Sequence, residues 1–222
     1  MIIAVDGTSG SGKSTFAKKL AKELDFGFFS AGALYRAITV KVLNFGVNEN
    51  DDEALKNLIE NTNIEYKYHN GKITMKVDGI DVSNDLWSET VSNFVAKIAC
   101  KPFIREFVRS LQRKTKQDNE NIVMEGRDIG SVIFPDADLK IYVDCKVEER
   151  AKRRLADYKN RGENVTLETV IEDLKSRDYA DTHRELSPLV MVKDAYLIDT
   201  THIDADEAVN LALEEMKRRN LI

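Results

Sequence analysis

Eight residues near the start of the chain, Gly7-Thr8-Ser9-Gly10-Ser11-Gly12-Lys13-Ser14, match the pattern G-x-x-x-x-G-K-[ST], and no other feature restricts the fold as strongly. The apolar run Ile2-Ile3-Ala4-Val5 precedes the motif and reads as a strand buried on both faces. Phe16, Ala17, Leu20, Ala21 and Leu24 follow it with the 3.6-residue period of an amphipathic helix. A strand, a glycine-rich turn and a helix in that order form a phosphate-binding loop. Glycines admit positive φ and leave no Cβ in the way, so successive N–H groups can face one concavity. The positive end of the helix adds to the attraction. Lys13 is placed to reach β- and γ-phosphates, and the Ser14 hydroxyl to ligate Mg²⁺. The expected contacts to a nucleoside triphosphate, ATP first among them, are Gly7, Thr8, Ser9, Gly10, Ser11, Gly12, Lys13, Ser14 and Thr15.

Further along, Ile122-Val123-Met124, Ile141-Tyr142-Val143, Tyr196-Leu197-Ile198 and Phe28-Phe29 read as four more strands. Helical stripes lie between or after them at Leu167, Val170, Ile171 and Leu174, and at Ala208, Val209, Ala212, Leu213 and Met216. Strands alternating with helices predict an α/β fold with a central parallel five-stranded sheet flanked by helices. One stretch departs from that rhythm. Ile64, Tyr66 and Tyr68 alternate with polar residues, Asn70-Gly71 marks a turn, and Ile73, Met75 and Val77 alternate again. Asp78-Gly79 then turns into a short third strand, Ile80-Asp81-Val82. A small antiparallel sheet inside an inserted subdomain is the expectation.

With 222 residues, 42% of them hydrophobic and 32% charged, the chain can bury one large core. A net charge of −5 with acids and bases intermixed argues against nucleic acid as the main partner. No apolar run approaches a membrane span, and the N-terminus carries no targeting pattern, so a cytoplasmic location with no membrane partner is expected. A monomer is the expected state, though the sequence itself does not set it. Cys100 and Cys145 show no metal or redox spacing and read as reduced thiols.

A phosphate-binding loop alone does not separate kinases from nucleotide switches. A GTPase switch carries Asp-x-x-Gly after a strand, and that tetrapeptide is absent from the sequence. Glu125-Gly126-Arg127-Asp128 follows a predicted strand, where side chains of parallel sheets enter the ligand crevice. Glu125 suits the Mg²⁺ shell, Arg127 a phosphate, and Asp128 a hydrogen-bond donor such as a base amino group. Arg177, Asp181 and Arg184 share one helical face if the helix runs through all three. That face suits a nucleotide, though a solvated ion pair has the same spacing. Arg150, Arg153 and Arg154 form a basic helical face ahead of Arg161-Gly162, as in a lid that closes over phosphates.

These residues together resemble the bacterial cytidylate kinases. The resemblance rests on the phosphate-binding loop, on Ser30-Ala31-Gly32-Ala33-Leu34-Tyr35-Arg36, on the stretch Glu125 to Ala137, and on Arg177-Asp178-Tyr179-Ala180-Asp181, in order along the chain. It implies a P-loop nucleoside monophosphate kinase: one domain over 1–222, with a monophosphate-binding insert over 31–115 and a basic lid over 150–165. It implies that Arg36, Arg105, Arg127, Asp128, Arg177, Asp181 and Arg184 line the CMP site. Arg36 and Arg127 would hold the acceptor phosphate, Arg105 and Asp128 would face the base, and Arg184 would lie near the transferring phosphate. Lys13, Arg127, Arg184, Arg150 and Arg154 are the expected catalytic set, with Ser14 and Glu125 toward Mg²⁺.

The implied reaction is phosphorylation of CMP and dCMP by ATP and Mg²⁺. The acceptor oxygen is already anionic, so attack needs positioning and charge neutralisation rather than a general base. Two positions depart from the family pattern: Ala31 and Ala96 stand where hydroxyl residues are usual near the base, which predicts weaker discrimination against UMP. The alternatives are another P-loop small-molecule kinase, whose hydroxyl acceptor would need a carboxylate base, and a nucleotide-dependent switch, which would bind nucleotide tightly but turn over slowly without a partner.

Overall fold

All six residues of β1 (Ile2–Gly7) are buried, as the unbroken apolar run requires of a strand in the interior of a parallel sheet. In this computed structural model, residues 1–222 are described apart from Asn70, Asp118, Asn119, Arg161 and the side chain of Gln117. β1 runs parallel to β6 (Ile122–Glu125) on one side and to β7 (Leu139–Asp144) on the other. β7 continues in parallel to β8 (Tyr196–Asp199), and β2 (Gly27–Ser30) completes the order β2-β6-β1-β7-β8. All five strands expected from the apolar runs are present. The register pairs Val5 with Glu125 and Gly7 with Val143, so the carboxyl ends of β1, β6 and β7 lie at one edge. The chain leaves β1 toward β2 at one side of the sheet and leaves β7 toward β8 at the other, and such a switch point is where open parallel sheets bind ligands.

The chain divides into two compact units, Met1–Phe28 with Asn121–Ile222, and Phe29–Glu120. In the first, α1 (Lys13–Glu23) buries Phe16, Ala17, Leu20 and Ala21, the stripe read from the sequence. α6 (Val147–Asn160) and α7 (Leu167–His183) meet over Ala151, Val170 and Leu174, with Leu155, Tyr158 and Ile171 packed around them. α8 (Ala205–Arg218) starts at a capping box in which Asp204 and Glu207 satisfy each other's backbone N–H groups. α7 stops at His183, so Arg184 lies one residue beyond the helix in extended conformation. The single helical face expected for Arg177, Asp181 and Arg184 therefore covers only the first two.

The second unit contains α2 (Ala31–Asn44), α3 (Asp52–Glu60), α4 (Glu89–Ala99) and α5 (Pro102–Gln117) around an antiparallel sheet. β3 (Ile64–His69) pairs with β4 (Lys72–Val77) from Ile64↔Val77 to His69↔Lys72, the expected hairpin. Its turn residue Asn70 lies outside the described residues, as does Arg161 at the end of the expected lid. Asp78 and Gly79, both at positive φ (51° and 81°), turn β4 into β5 (Ile80–Asp81). Val82 falls just outside β5, yet its N–H still reaches the Met75 carbonyl at 2.9 Å. Among the described residues no helix is long and apolar enough to cross a membrane.

Candidate active site

The loop between β1 and α1 is built for close approach. A Cβ on Gly7 would run into the backbone carbonyl of Val143 on the neighbouring strand, so only glycine fits there. Gly12, at φ +83°, stands at the N-cap of α1, and no side chain caps the helix. The first N–H groups of α1 are left to a ligand rather than to a Ser or Asp side chain.

Lys13 is buried, with its Nζ 3.2 Å from the Thr8 carbonyl. Burial first, and then the charge of Arg127, lowers its pKa from 10.5 to about 7, against the opposing pull of Glu125, Asp181 and Asp6. A lysine in that state gains most from a multiply charged anion, which restores its charged form. Ser11 donates its hydroxyl to the same Thr8 carbonyl at 3.0 Å.

At the end of β6, Glu125 is buried at 4% exposure, and Arg127 follows at the same sheet edge. Arg127 donates its Nε to Asp181 of α7 at 2.7 Å, and the Arg184 guanidinium approaches the other oxygen of Asp181 at 3.3 Å. Arg184 is further anchored through its Nε to the Ser187 carbonyl at 2.7 Å. One carboxylate thus sits between two guanidiniums. Asp128 is buried beside them and opens the π-helical turn Ile129–Ile133.

Arg154 and Arg177 differ from these. Among the described residues neither makes a hydrogen bond or an ion pair; the Arg154 guanidinium lies 5.6 Å from the Tyr158 ring. Burial, then the nearby charge of Arg154, pulls the Arg177 pKa below its ordinary value. Two guanidiniums that repel each other, with no ion pair among the described residues, suit an anion.

Arg150 and Arg153, expected on the lid beside Arg154, face the base of the phosphate loop instead. Arg150 is buried and donates to the carbonyls of Ser9 and Cys145, both at 2.8 Å, while pairing with Asp178 at 2.6 Å. Arg153 donates to the Thr200 carbonyl at 2.6 Å, and the Thr200 hydroxyl donates to Ser11 O at 2.8 Å.

In the second unit, Arg36 of α2 donates to the Leu86 carbonyl at 3.0 Å and to the Ser92 hydroxyl at 2.9 Å, with its guanidinium 4.6 Å from the Trp87 ring. Arg105 of α5 is buried, 3.1 Å from the Ala99 carbonyl and 5.7 Å from the Tyr35 ring. Ala31 is buried at the start of α2, and Ala96 is exposed on α4.

Four residues with parts in this arrangement had no assigned role in the sequence. Asp6 accepts the N–H groups of Ile129 and Gly130 at 2.9 and 2.8 Å. Burial raises its pKa to about 6. Asp144 accepts from the Thr8 hydroxyl at 3.0 Å, Asp178 accepts from Ser9 N–H at 3.2 Å, and Thr200 acts as above. Asp178 lies within a motif quoted for its neighbours, and sequence spacing alone carries no sign of a partner 169 residues away.

The five-stranded parallel sheet, the loop and its lysine define a P-loop kinase fold. Shikimate kinase from Bacteroides thetaiotaomicron shares that fold, with a TM-score of 0.51 at 9% identity over 98% of both chains. The chain belongs to the cytidylate kinase family: the family model described as "Cytidylate kinase" matches residues 3–218. The cytidylate kinase of Ligilactobacillus salivarius is 38% identical over 98% of this chain and 97% of its own. That of Caldanaerobacter subterraneus is 40% identical over 97% and 94%.

Proposed function

We propose that the chain transfers the terminal phosphoryl group of ATP to CMP or dCMP, giving CDP or dCDP. Membership of the cytidylate kinase family supports the acceptor. The observation that carries the chemistry is the pair Arg154 and Arg177, two mutually repelling guanidiniums with no ion pair among the described residues, in the same unit as a buried Lys13 whose pKa burial lowers to about 7. Phosphoryl transfer needs such charge where three equatorial oxygens share the negative charge of the transition state.

In this reading the loop Gly7–Thr15 holds the donor phosphates and Lys13 bridges the β- and γ-groups. Arg127, Arg177, Asp181 and Arg184 take the acceptor on the first unit, with Asp128 toward the base. Arg36 takes the acceptor phosphate and Arg105 the base on the second, within the insert 31–115. Arg154 supplies positive charge from the lid over 150–165. Mg²⁺ takes oxygen ligands and leaves most positions to phosphates and water, which suits a protein share of one hydroxyl and one carboxylate, Ser14 and Glu125. When bound, the ion supplies charge neutralisation at the transferring group. A cytoplasmic monomer acting on free nucleotides is the corresponding expectation, with neither membrane nor nucleic acid as partner.

The test is ADP release in a coupled assay against CMP, dCMP, UMP, AMP, cytidine and shikimate. CMP and dCMP turning over fastest, with UMP within about a hundredfold of CMP, is the expected result. Faster turnover with cytidine or shikimate would move the chain to the hydroxyl-acceptor kinases. Tight ATP binding with no acceptor used would leave a switch.

A further inference from the structure

We propose that Arg150 and Asp178 form a brace that sets the conformation of the phosphate loop, acting as positioning residues rather than touching phosphate. The inference rests on the reading above that this loop holds ATP. Ser9 is gripped at both of its backbone polar groups. Its N–H donates to Asp178 Oδ1 at 3.2 Å, and its carbonyl accepts from Arg150 at 2.8 Å. Asp178 and Arg150 close the ring with an ion pair of 2.6 Å. Arg150 is further fixed through its Nε on the Cys145 carbonyl at the start of α6.

This ring joins three elements far apart in sequence. α6 brings Arg150, α7 brings Asp178, and the loop brings Ser9. The packing agrees with the bonding. A Cβ on Gly10, the next residue of the loop, would lie 3.6 Å from Arg150 Cβ and 3.7 Å from a methyl of Leu174 on α7. Both peptide planes flanking Ser9 are therefore held, and Gly10 starts its positive-φ turn (+77°) from a fixed frame. The loop amides beyond it can then point at phosphates without each nucleotide having to order them, which is how pre-organisation raises affinity.

A lid arginine that reaches for phosphate should keep its N–H groups free of protein acceptors, and among the described residues Arg154 makes no hydrogen bond or ion pair, only a ring contact with Tyr158. Arg150 instead has its side chain at 6% exposure and three oxygen partners. The brace has a second consequence. Asp178 is the neighbour of Arg177, so the helix that presents the unpaired guanidinium is tied to the loop through the next residue along.

The experiment measures dissociation constants of ATP and ADP without acceptor, together with kcat and KM for ATP. The variants are Arg150→Ala, Arg150→Lys, Asp178→Ala, Asp178→Asn and the double Arg150→Ala/Asp178→Ala. The brace predicts about a tenfold weakening of both nucleotides in each alanine variant, because both use the same loop. It predicts that the double variant is within about twofold of the weaker single, since either change opens the ring. Asp178→Asn, which keeps an oxygen for Ser9 N–H, should recover part of the loss. The effect should fall on KM for ATP more than on kcat at saturation.

A fall in kcat above a hundredfold in Arg150→Ala with ADP affinity unchanged would place Arg150 on the transferring phosphate and overturn the brace. Multiplying losses in the double variant, or unchanged affinity in folded variants, would also overturn it. If an alanine variant does not fold, Arg150→Lys and Asp178→Asn carry the same comparison. Wild-type protein that binds ATP but phosphorylates no CMP sinks the acceptor reading and leaves the brace measurable. Wild-type protein that binds neither nucleotide overturns both.

Discussion

Arg127 shows how a charged residue can be ready for a ligand without being loose. Its Nε is held by Asp181 at 2.7 Å and one terminal nitrogen by the Gly126 carbonyl at 3.2 Å. Both partners of the ion pair keep about a quarter of their side chains exposed, 24% each. A guanidinium has five N–H groups, so donors remain for a phosphate while the carboxylate fixes the plane. Arg127→Ala should lower kcat/KM for CMP by about 10–100-fold, the worth of a charged hydrogen bond of ~1.5–3 kcal/mol. ATP affinity measured without acceptor should change by less than about threefold. An equal fall in ATP affinity would assign Arg127 to the donor side. The position of this residue was legible because a polar residue just past an apolar run has few other places to be. Arg150 was not legible. Its i, i+3, i+4 spacing with Arg153 and Arg154 is that of a basic face, and only the fold reveals that two of the three turn inward on the loop. Sequence spacing locates a side chain on its helix but not the helix on the protein.

At the level of elements, Asp6 ties the end of β1 to the π-helical turn that follows Arg127 and Asp128. Its two oxygens take the N–H groups of Ile129 and Gly130, donors that the start of a helical turn leaves unpaired. Gly130 is packed closely as well, since a Cβ there would lie 3.2 Å from Lys140 Cγ. Asp6→Ala would leave two buried N–H groups without a partner. It should destabilise the protein by roughly 2–4 kcal/mol, read from the midpoint of denaturant unfolding. Asp6→Asn, which keeps one good acceptor, should lie between. A loss below about 1 kcal/mol in Asp6→Ala would show that the turn holds itself. The five strands were legible because strands buried on both faces must be apolar throughout, and the hairpin because one solvated face forces alternation. The helices α3, α4 and α5 were not read from the sequence, although each has a one-sided apolar pattern, as with the buried Ile104 and Val108 of α5. Leu55 and Ile59 of α3, and Val91 and Ile98 of α4, are likewise buried at spacings of four and seven residues. The end of α7 was missed because Arg184 continues the spacing of the helix after the backbone has left it.

For the molecule as a whole, the site opposes stability, and pH separates the two. Unfolded, Lys13 keeps its proton up to its ordinary 10.5; folded and without nucleotide, burial and Arg127 bring it to about 7. Between those values the unfolded chain binds more protons than the folded one. By linkage, stability therefore rises with pH through that window, and at pH 7 the buried ammonium opposes folding. At pH 7 the shift corresponds to roughly 4 kcal/mol, and the hydrogen bond from Nζ to the Thr8 carbonyl offsets about 1 kcal/mol of it. Lys13→Met keeps the length and removes the charge. It should be inactive, yet more stable than wild type by roughly 2–3 kcal/mol at pH 7 in urea unfolding without nucleotide. The gap should narrow as pH rises and close by about 10.5, where Lys13 loses its proton in the unfolded chain as well. Asp6 does not confuse the reading. Its pKa is raised from 3.8 to about 6, so its proton makes stability fall with rising pH only in that acid window. Saturating MgATP should reverse the order, since only wild type binds it tightly and gains RT ln(1 + [L]/Kd). A methionine variant less stable than wild type at pH 7, or a gap that does not change with pH, would mean that Lys13 holds the loop together. It would then not be waiting for a phosphate.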